Sequence, residues 1–572
     1  MESNKQDYYK LSKKEIESIN ELDLSFPKIE NFYFKYGDEG FRYKEKKLDK
    51  LFYRAGIMAS ILSMSKNGLP IGIMISGGNN NPDDNGIEIS SEKGKNISLE
   101  EEKYFEEMIN ADNLKENINI VFSQLKPVQG KCIIVIGIDN HPSSQKFSDI
   151  LIKGLKCINN CSFNLYSIIP CPSLFFLTMI NQMAFQKIGL KYKMIFSPKE
   201  NYWIYLNQSF DKFHSYYNMV FKNKSKEINN NYENELVIDC SNGIGSLYKD
   251  KISNIFLNKE NNFPLKLNFI NDNDKDINIK CRINSFLENK ASQNNQNNLS
   301  KNKNVCLSSD LDNLIYYMNI NNGKEIKIIK GEKMIILFCK MLNFLIDNFS
   351  KNLKMKYYQL IKMGIITSFY TNKSFITYYE QNLKNNYELC YTSLGLKNFQ
   401  NISKNFDISI CYQYNGSGSI FINEELSAKF GKLSSLIETS KDSQIIELFQ
   451  LFIAMFNPTT SDGVANLLVI ESILKIFDLS IKDIYNFYEE IPYRMDNIEV
   501  KDINKFLVGE DGNIIEPKDV KNKVNELCKN YENSRIIIRP SVSKELLELY
   551  IESNCNEKIY EEIINHLKVK DY

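Results

Sequence analysis

The run Ile71-Gly72-Ile73-Met74-Ile75-Ser76-Gly77-Gly78-Asn79-Asn80-Asn81-Pro82-Asp83-Asp84-Asn85-Gly86 reads as a buried strand that breaks into a polar loop. Residues 71–75 form a short, isoleucine-rich apolar run, the pattern of a strand covered on both faces. From Ser76 onward Gly, Asn, Pro and Asp supply turn chemistry. A helix pattern precedes this run over 48–65, and strand patterns follow over 132–138 and 407–412. Further helix patterns lie over 173–186, 332–346 and 464–477. The alternation predicts α/β layers with mainly parallel or mixed sheets. In such folds ligands collect at strand ends, so the loop after Ile75 is where chemistry is expected.

Bulk properties narrow the partners. At 572 residues the chain exceeds one hydrophobic core, and about three to five domains are expected. Lys plus Arg and Asp plus Glu both number 71, so no global field recruits nucleic acid or a membrane surface. The first residues are polar and charged, and no apolar run approaches the ~18 residues of a spanning helix, so a cytoplasmic protein is expected. Among twelve cysteines, Cys157 and Cys161 have the spacing of one helical turn but no second pair nearby, and the chain has three histidines. Reduced, buried thiols are expected rather than structural zinc. Asn and Lys condense over 271–278 and 291–304, and 287–304 is expected to be a disordered or loosely ordered surface insertion.

Several further loops join Gly, Asn or Ser to charged groups beside a strand. They are Tyr36-Gly37-Asp38-Glu39-Gly40-Phe41-Arg42, Gly137-Ile138-Asp139-Asn140-His141-Pro142-Ser143-Ser144 and Val237-Ile238-Asp239-Cys240-Ser241-Asn242-Gly243-Ile244-Gly245. Ser308-Ser309-Asp310-Leu311-Asp312-Asn313 pairs two carboxylates, which suit a hard cation only weakly when alone. Gln413-Tyr414-Asn415-Gly416-Ser417-Gly418 follows the strand at 407–412. Arg539-Pro540-Ser541-Val542-Ser543-Lys544 offers hydroxyl and guanidinium donors of the kind that cradle phosphate.

In this order the loops resemble the motifs of the α-D-phosphohexomutases, most closely the phosphoacetylglucosamine mutases. Residues 36–42 are similar to YGTAGFR, 75–86 to ITASHNPEEDNG, 137–144 to GRDTRPSS and 237–245 to VDGANGVG. Residues 308–313 are similar to DGDADR, 394–397 to TGVK, 413–418 to EANGHG and 539–544 to RPSGTE. The resemblance covers about 32–552 and implies an α/β, four-domain architecture. Three mixed α/β sandwich domains (1–195, 196–325, 326–455) and a smaller α+β domain (456–572) would surround a central cleft. It implies interconversion of N-acetylglucosamine 6-phosphate and 1-phosphate through a phosphorylated serine, with Mg²⁺ as cofactor and a phosphorylated amino sugar as ligand. It assigns Gln413, Asn415, Gly416 and Lys397 to the sugar, and Arg539, Ser541 and Ser543 to its phosphate. Arg42, Asn79 and Asn80 fall in the catalytic loops, and Asp310, Asp312 and Ser308 at the metal positions.

This sequence departs from the family at the reacting centre. Without a gap, the phosphorylated serine aligns with Gly78; with a gap that makes Asn80-Asn81-Pro82 the HNP segment, it aligns with Asn79. Neither carries a hydroxyl. Ser76 is the local one, but it stands two residues away, where a misplacement of roughly 1 Å already costs ~10²-fold, so it is a poor substitute nucleophile. Ser76-Gly77-Gly78-Asn79 is expected to be a flexible turn. Ser308 replaces a metal carboxylate, Asn313 an arginine, Gln413 a glutamate, Val542 a glycine and Glu548 an arginine. Mg²⁺ binding is therefore expected to be weak or absent. Two readings stay open: a mutase with a divergent site, or a mutase-fold protein that binds a phosphosugar or a protein without turnover.

Overall fold

The computed structural model describes residues 8–188, 196–221, 231–257, 263, 265–273, 303–320, 325–437, 439–509, 511–541, 546–570 and 572. It falls into two compact units, Met1–Ile329 with Asn415–Ile420 and Glu438–Ile481, and Lys330–Tyr414 with Phe421–Ile437 and Lys482–Tyr572.

The first unit contains two mixed five-stranded sheets. β1 (Phe41–Lys44), β2 (Pro70–Ser76), β3 (Asp84–Ser90), β4 (Cys132–Ile138) and β5 (Cys161–Ile168) lie in the order β1-β3-β2-β4-β5. β2, β4 and β5 run parallel, and β3 is antiparallel to both β1 and β2. The helix Asp49–Ser65 is buried from Leu51 to Met64, with Arg54 inside it paired to Asp23, as a helix between packed elements must be. Phe52 stacks on Phe147, and Ile57, Ile61, Ile73 and Ile134 are fully buried in the same core. The second sheet comprises β6 (Glu235–Asp239), β7 (Lys266–Ile270), β8 (Asn304–Leu307), β9 (Leu314–Ile320) and β10 (Glu325–Ile329), in the order β10-β9-β8-β6-β7.

In the second unit β11 (Met363–Ser368) pairs in parallel with β12 (Glu388–Thr392) and β13 (Ile408–Tyr412). The sheet order is β12-β11-β13-β14, where β14 is Gly418–Ile422 and only Phe421 and Ile422 of it belong to this unit. The C-terminal part is α+β. β15 (Tyr493–Ile498) leads to a ribbon of β16 (Leu507–Val508) and β17 (Ile514–Glu516). β18 (Arg535–Pro540) and β19 (Leu547–Glu552) join β15 in an antiparallel sheet ordered β15-β19-β18.

The expected strands and helices all form, with ends moved by a residue or two. Two readings need correction. Residues 287–302 of the expected insertion lie outside the described residues, but Lys303 and Asn304 are not surface chain. Both are buried, Asn304 opens β8, and Lys303 donates to Glu471 at 2.7 Å inside the core. Cys157 and Cys161 do not share a helix, because Cys157 caps Ser144–Lys156 and Cys161 begins β5. The described cysteines are free thiols, mostly buried, with Cys555 exposed. Among the described residues no helix is long and apolar enough to cross a membrane.

Candidate functional site

Three strands set the centre of the first unit. β2 ends on Ser76, which pairs with Gly86 of β3, and Gly86 pairs in turn with Arg42 of β1. Gly86 is what lets them communicate. A Cβ there would fall 1.9 Å from the Phe41 carbonyl oxygen and 2.6 Å from Arg42 Nη1. With that space empty, the guanidinium crosses β3 and donates from Nη2 to Ser76 Oγ at 3.1 Å. Arg42 also lies 4.0 Å from the Glu88 carboxylate, and its Nε is buried without a partner. Ser76 is thus buried and engaged by Arg42.

The loop beyond Ser76 is held, not flexible, which corrects the sequence expectation. Gly77 N–H donates to Asp139 Oδ2 at 2.8 Å, and Asp139 Oδ1 accepts from His141 N–H and Ser144 Oγ. His141 Nε2 lies 2.8 Å from the Pro82 carbonyl, which can only accept, so the proton sits on Nε2. Nδ1 then accepts from Ser143. Asn80 N–H and its side-chain amide both donate to the Gly77 carbonyl. Gly78 adopts φ +57°, a left-handed conformation in which glycine carries no Cβ penalty. A Cβ built there meets only ordinary contacts, each at 3.5 Å: Arg42 Nε, Asn80 Nδ2 and Glu39 Oε2.

The Ser308–Asn313 loop between β8 and β9 reaches the same place. Ser309 Oγ donates to the Gly78 carbonyl at 2.6 Å, and its N–H to Asn79 Oδ1 at 3.4 Å. Ser308 Oγ donates to Asp312 Oδ1 at 2.6 Å and accepts from Asn313 N–H at 2.9 Å. Asp310 is buried, and its Oδ1 has no partner. Asn415 Oδ1 accepts from Ser417 N–H within its own loop, and the Gly416 carbonyl accepts from Leu314 N–H, which holds this loop beside β9.

Crowded carboxylates dominate the electrostatics. Burial raises Glu39, Arg42 opposes the rise, and Asp310 and Asp38 reinforce it. Burial likewise pushes Asp312 well up, with Asp310 and Glu39 adding repulsion while the Ser308 hydroxyl counteracts. Glu88 is raised to about 7, chiefly by burial, with Arg42 opposing and Glu39 and Asp310 adding.

The second unit holds a separate group. Gln413 is buried, and its Oε1 accepts from Gly395 N–H at 3.2 Å. Gly395 precedes the helix Leu396–Ser403, whose first turn carries Lys397. Two residues upstream, Ser393 Oγ accepts from Arg539 Nη2 at 2.6 Å. The Arg539 guanidinium lies over the Phe369 ring, and its Nη1 is buried with no partner. Ser541 N–H donates to the Leu546 carbonyl, while Val542 and Ser543 lie outside the described residues. Glu548 faces Arg539 in the β18–β19 register and accepts the Tyr370 hydroxyl at 2.5 Å.

Comparison with known proteins places this geometry. A family model described as phosphoacetylglucosamine mutase AMG1, domain III, matches residues 330–479. The phosphoacetylglucosamine mutase of Candida albicans is 25% identical over 563 residues, covering 95% of this chain and 97% of that one. The chain is similar to the phosphoacetylglucosamine mutases over nearly its whole length. A crystal structure of N-acetylglucosamine-phosphate mutase in its product complex has the same fold, with TM-score 0.83 at 24% identity, covering 97% of this chain and 99% of that one. So does the Aspergillus fumigatus mutase in complex with GlcNAc-6P and magnesium, with TM-score 0.82 at 20% identity, covering 98% and 100%.

Against this phosphohexomutase frame, the first unit joins Arg42, Ser76, Gly78, Asn79 and Asn80 to the Ser308–Asn313 loop. The second joins Gln413 and Arg539 through Ser393–Gly395. The metal positions do not fit a three-carboxylate Mg²⁺ site as they stand. The Ser308 hydroxyl is spent on Asp312, and among the described residues no group of three or more His, Cys, Asp or Glu side chains is arranged to hold a metal. Sequence reasoning passed over Ser309, which ties the two loops together, and Glu39. The signal for Glu39 lay in the motif itself, where YGDEGFR puts a glutamate against the alanine of YGTAGFR.

Proposed function

We propose that this chain is a phosphoacetylglucosamine mutase-like protein. It binds a phosphorylated N-acetylglucosamine and moves the phosphate between the 6- and 1-positions, in the cytoplasm and toward UDP-N-acetylglucosamine. The observation that carries the reading is Arg539, a buried guanidinium held by Ser393 and Phe369 with one Nη left unpartnered. A buried, unsatisfied cationic donor is costly, and an anionic ligand oxygen would satisfy it. The relationship to phosphoacetylglucosamine mutases over nearly the whole chain supports the choice of sugar. The division at about residues 195, 325 and 455 is part of the proposal, supported by the separate β1–β5, β6–β10, β11–β14 and β15-β19-β18 sheets. Mg²⁺ affinity is read as weak, because Ser308 supplies a neutral hydroxyl where a third carboxylate would stand.

Thermal unfolding with and without N-acetylglucosamine 6-phosphate tests this reading. The phosphosugar is expected to raise Tm where unphosphorylated N-acetylglucosamine does not. Arg539→Ala is expected to weaken binding about 10- to 100-fold, the loss of a charge-assisted hydrogen bond of about 1.5–3 kcal/mol. No shift with any hexose phosphate would end it. A second reading, phosphosugar binding without turnover, is favoured by Gly78, which offers no oxygen at the phosphoserine position.

A further inference from the structure

The reacting centre lacks a serine, yet the space a side chain of residue 78 would enter is not chemically empty. Three groups lie nearest it, Asn80 Nδ2 and two charged ones. Glu39 Oε2 and Arg42 Nε each lie 3.5 Å from the position a Cβ on Gly78 would take. Arg42 Nε is a buried donor with no partner, which calls for an anionic oxygen at this point. Glu39 stays half-buried rather than sealed in. Its neighbour Gly40, at φ +84°, packs against the Ile87 backbone, so the turn that projects Glu39 is fixed by β3. The two departures from the family motifs are also complementary in space: one residue loses its side chain at 78, and another gains a carboxylate at 39 that reaches the same spot.

We propose that Glu39 is the phosphoryl acceptor in this chain, a catalytic carboxylate in place of the absent serine. This rests on the phosphohexomutase reading above. Glu39 Oε2 attacks the phosphorus of a hexose bisphosphate. The bond from phosphorus to the sugar oxygen breaks, its electrons leave with that oxygen, and the oxygen takes a proton from solvent. The phosphoryl group remains on Glu39 as an acyl phosphate. In the return step another sugar hydroxyl attacks that phosphorus and gives its proton to solvent, and the bond to Oε2 breaks to regenerate the carboxylate. Over a full cycle no proton, electron or phosphate is gained or lost. Arg42 lies beside this point and is placed to neutralise the transferring group. Asp38, Asp310 and Asp312 oppose an incoming phosphate, so phosphorylation is expected to be slow.

The test is acid-quenched intact-mass analysis of the full chain after incubation with glucose 1,6-bisphosphate, followed by peptide mapping and neutral hydroxylamine. The expected result is one phosphoryl group on the peptide holding Glu39, removed by hydroxylamine as acyl phosphates are. Glu39→Gln, nearly isosteric, is expected to lose the label and to lower turnover by about 10²-fold or more while Tm holds. The double variant Glu39→Ala with Gly78→Ser is expected to carry a hydroxylamine-resistant label instead. A resistant label on Ser76 of the natural chain, or turnover undiminished in Glu39→Gln, would overturn the proposal. So would an unlabelled chain that still binds N-acetylglucosamine 6-phosphate, although phosphosugar binding would then stand. A chain that binds no phosphosugar removes both.

Discussion

Glu88 illustrates how strongly single residues of the site depend on their surroundings. Its carboxylate lies between Arg42, 4.0 Å away, and the Cys171 thiol, and desolvation lifts its pKa from 4.5 to about 7. The folded protein therefore keeps this proton over a range where the unfolded chain has released it. The contribution of this group to stability is full below about pH 4.5 and is lost as pH rises through 7, by up to about 3 kcal/mol. Glu88→Gln is expected to remove that loss. Urea unfolding at pH 5 and pH 8 would show it as a smaller drop in stability for the variant, and equal drops would contradict it. Gly78 was legible as a departure from sequence alone. That Glu39 fills the space beside it was not, because the two are 39 residues apart and meet through the pairing of β3 with both β1 and β2.

Among elements, the β1–β3–β2 ladder matters most, since it decides where Arg42 points. Gly86 carries that arrangement, and a methyl group would strike the Phe41 carbonyl. Gly86→Ala is expected to cost about 1–3 kcal/mol or more through overpacking and to displace Arg42 from Ser76. A lower Tm together with weaker binding of N-acetylglucosamine 6-phosphate would be the measured result. A variant as stable and as tight-binding as the natural chain would exclude this role. The strands and helices themselves were plain in the sequence, because the apolar run Cys132–Ile138 and the helical apolar spacing of Gly331–Asp347 leave few alternatives. The loops were not. Ser76-Gly77-Gly78-Asn79 looked flexible because its anchors come from afar, Asp139 62 residues on and Ser309 231 residues on. Lys303 was misread for the same reason: its local context is a polar Asn-rich run, while its partner Glu471 lies 168 residues away.

For the whole molecule, family and fold were readable from a handful of collinear motifs, whereas the fate of the reaction turns on side chains that those motifs do not share. Scaffold positions have kept their spacing. The reacting positions have changed together: Gly78 without a side chain, Glu39 beside it, Ser308 bonded to Asp312, and Glu548 bonded to Tyr370. If these changes make a different phosphoryl carrier rather than a dead site, catalysis survives. A coupled assay of N-acetylglucosamine 6-phosphate conversion to the 1-phosphate, primed with glucose 1,6-bisphosphate, asks this of the intact chain. The account predicts primer-dependent turnover that Arg539→Ala reduces. A chain that binds the phosphosugar but shows no turnover at any primer concentration would contradict it.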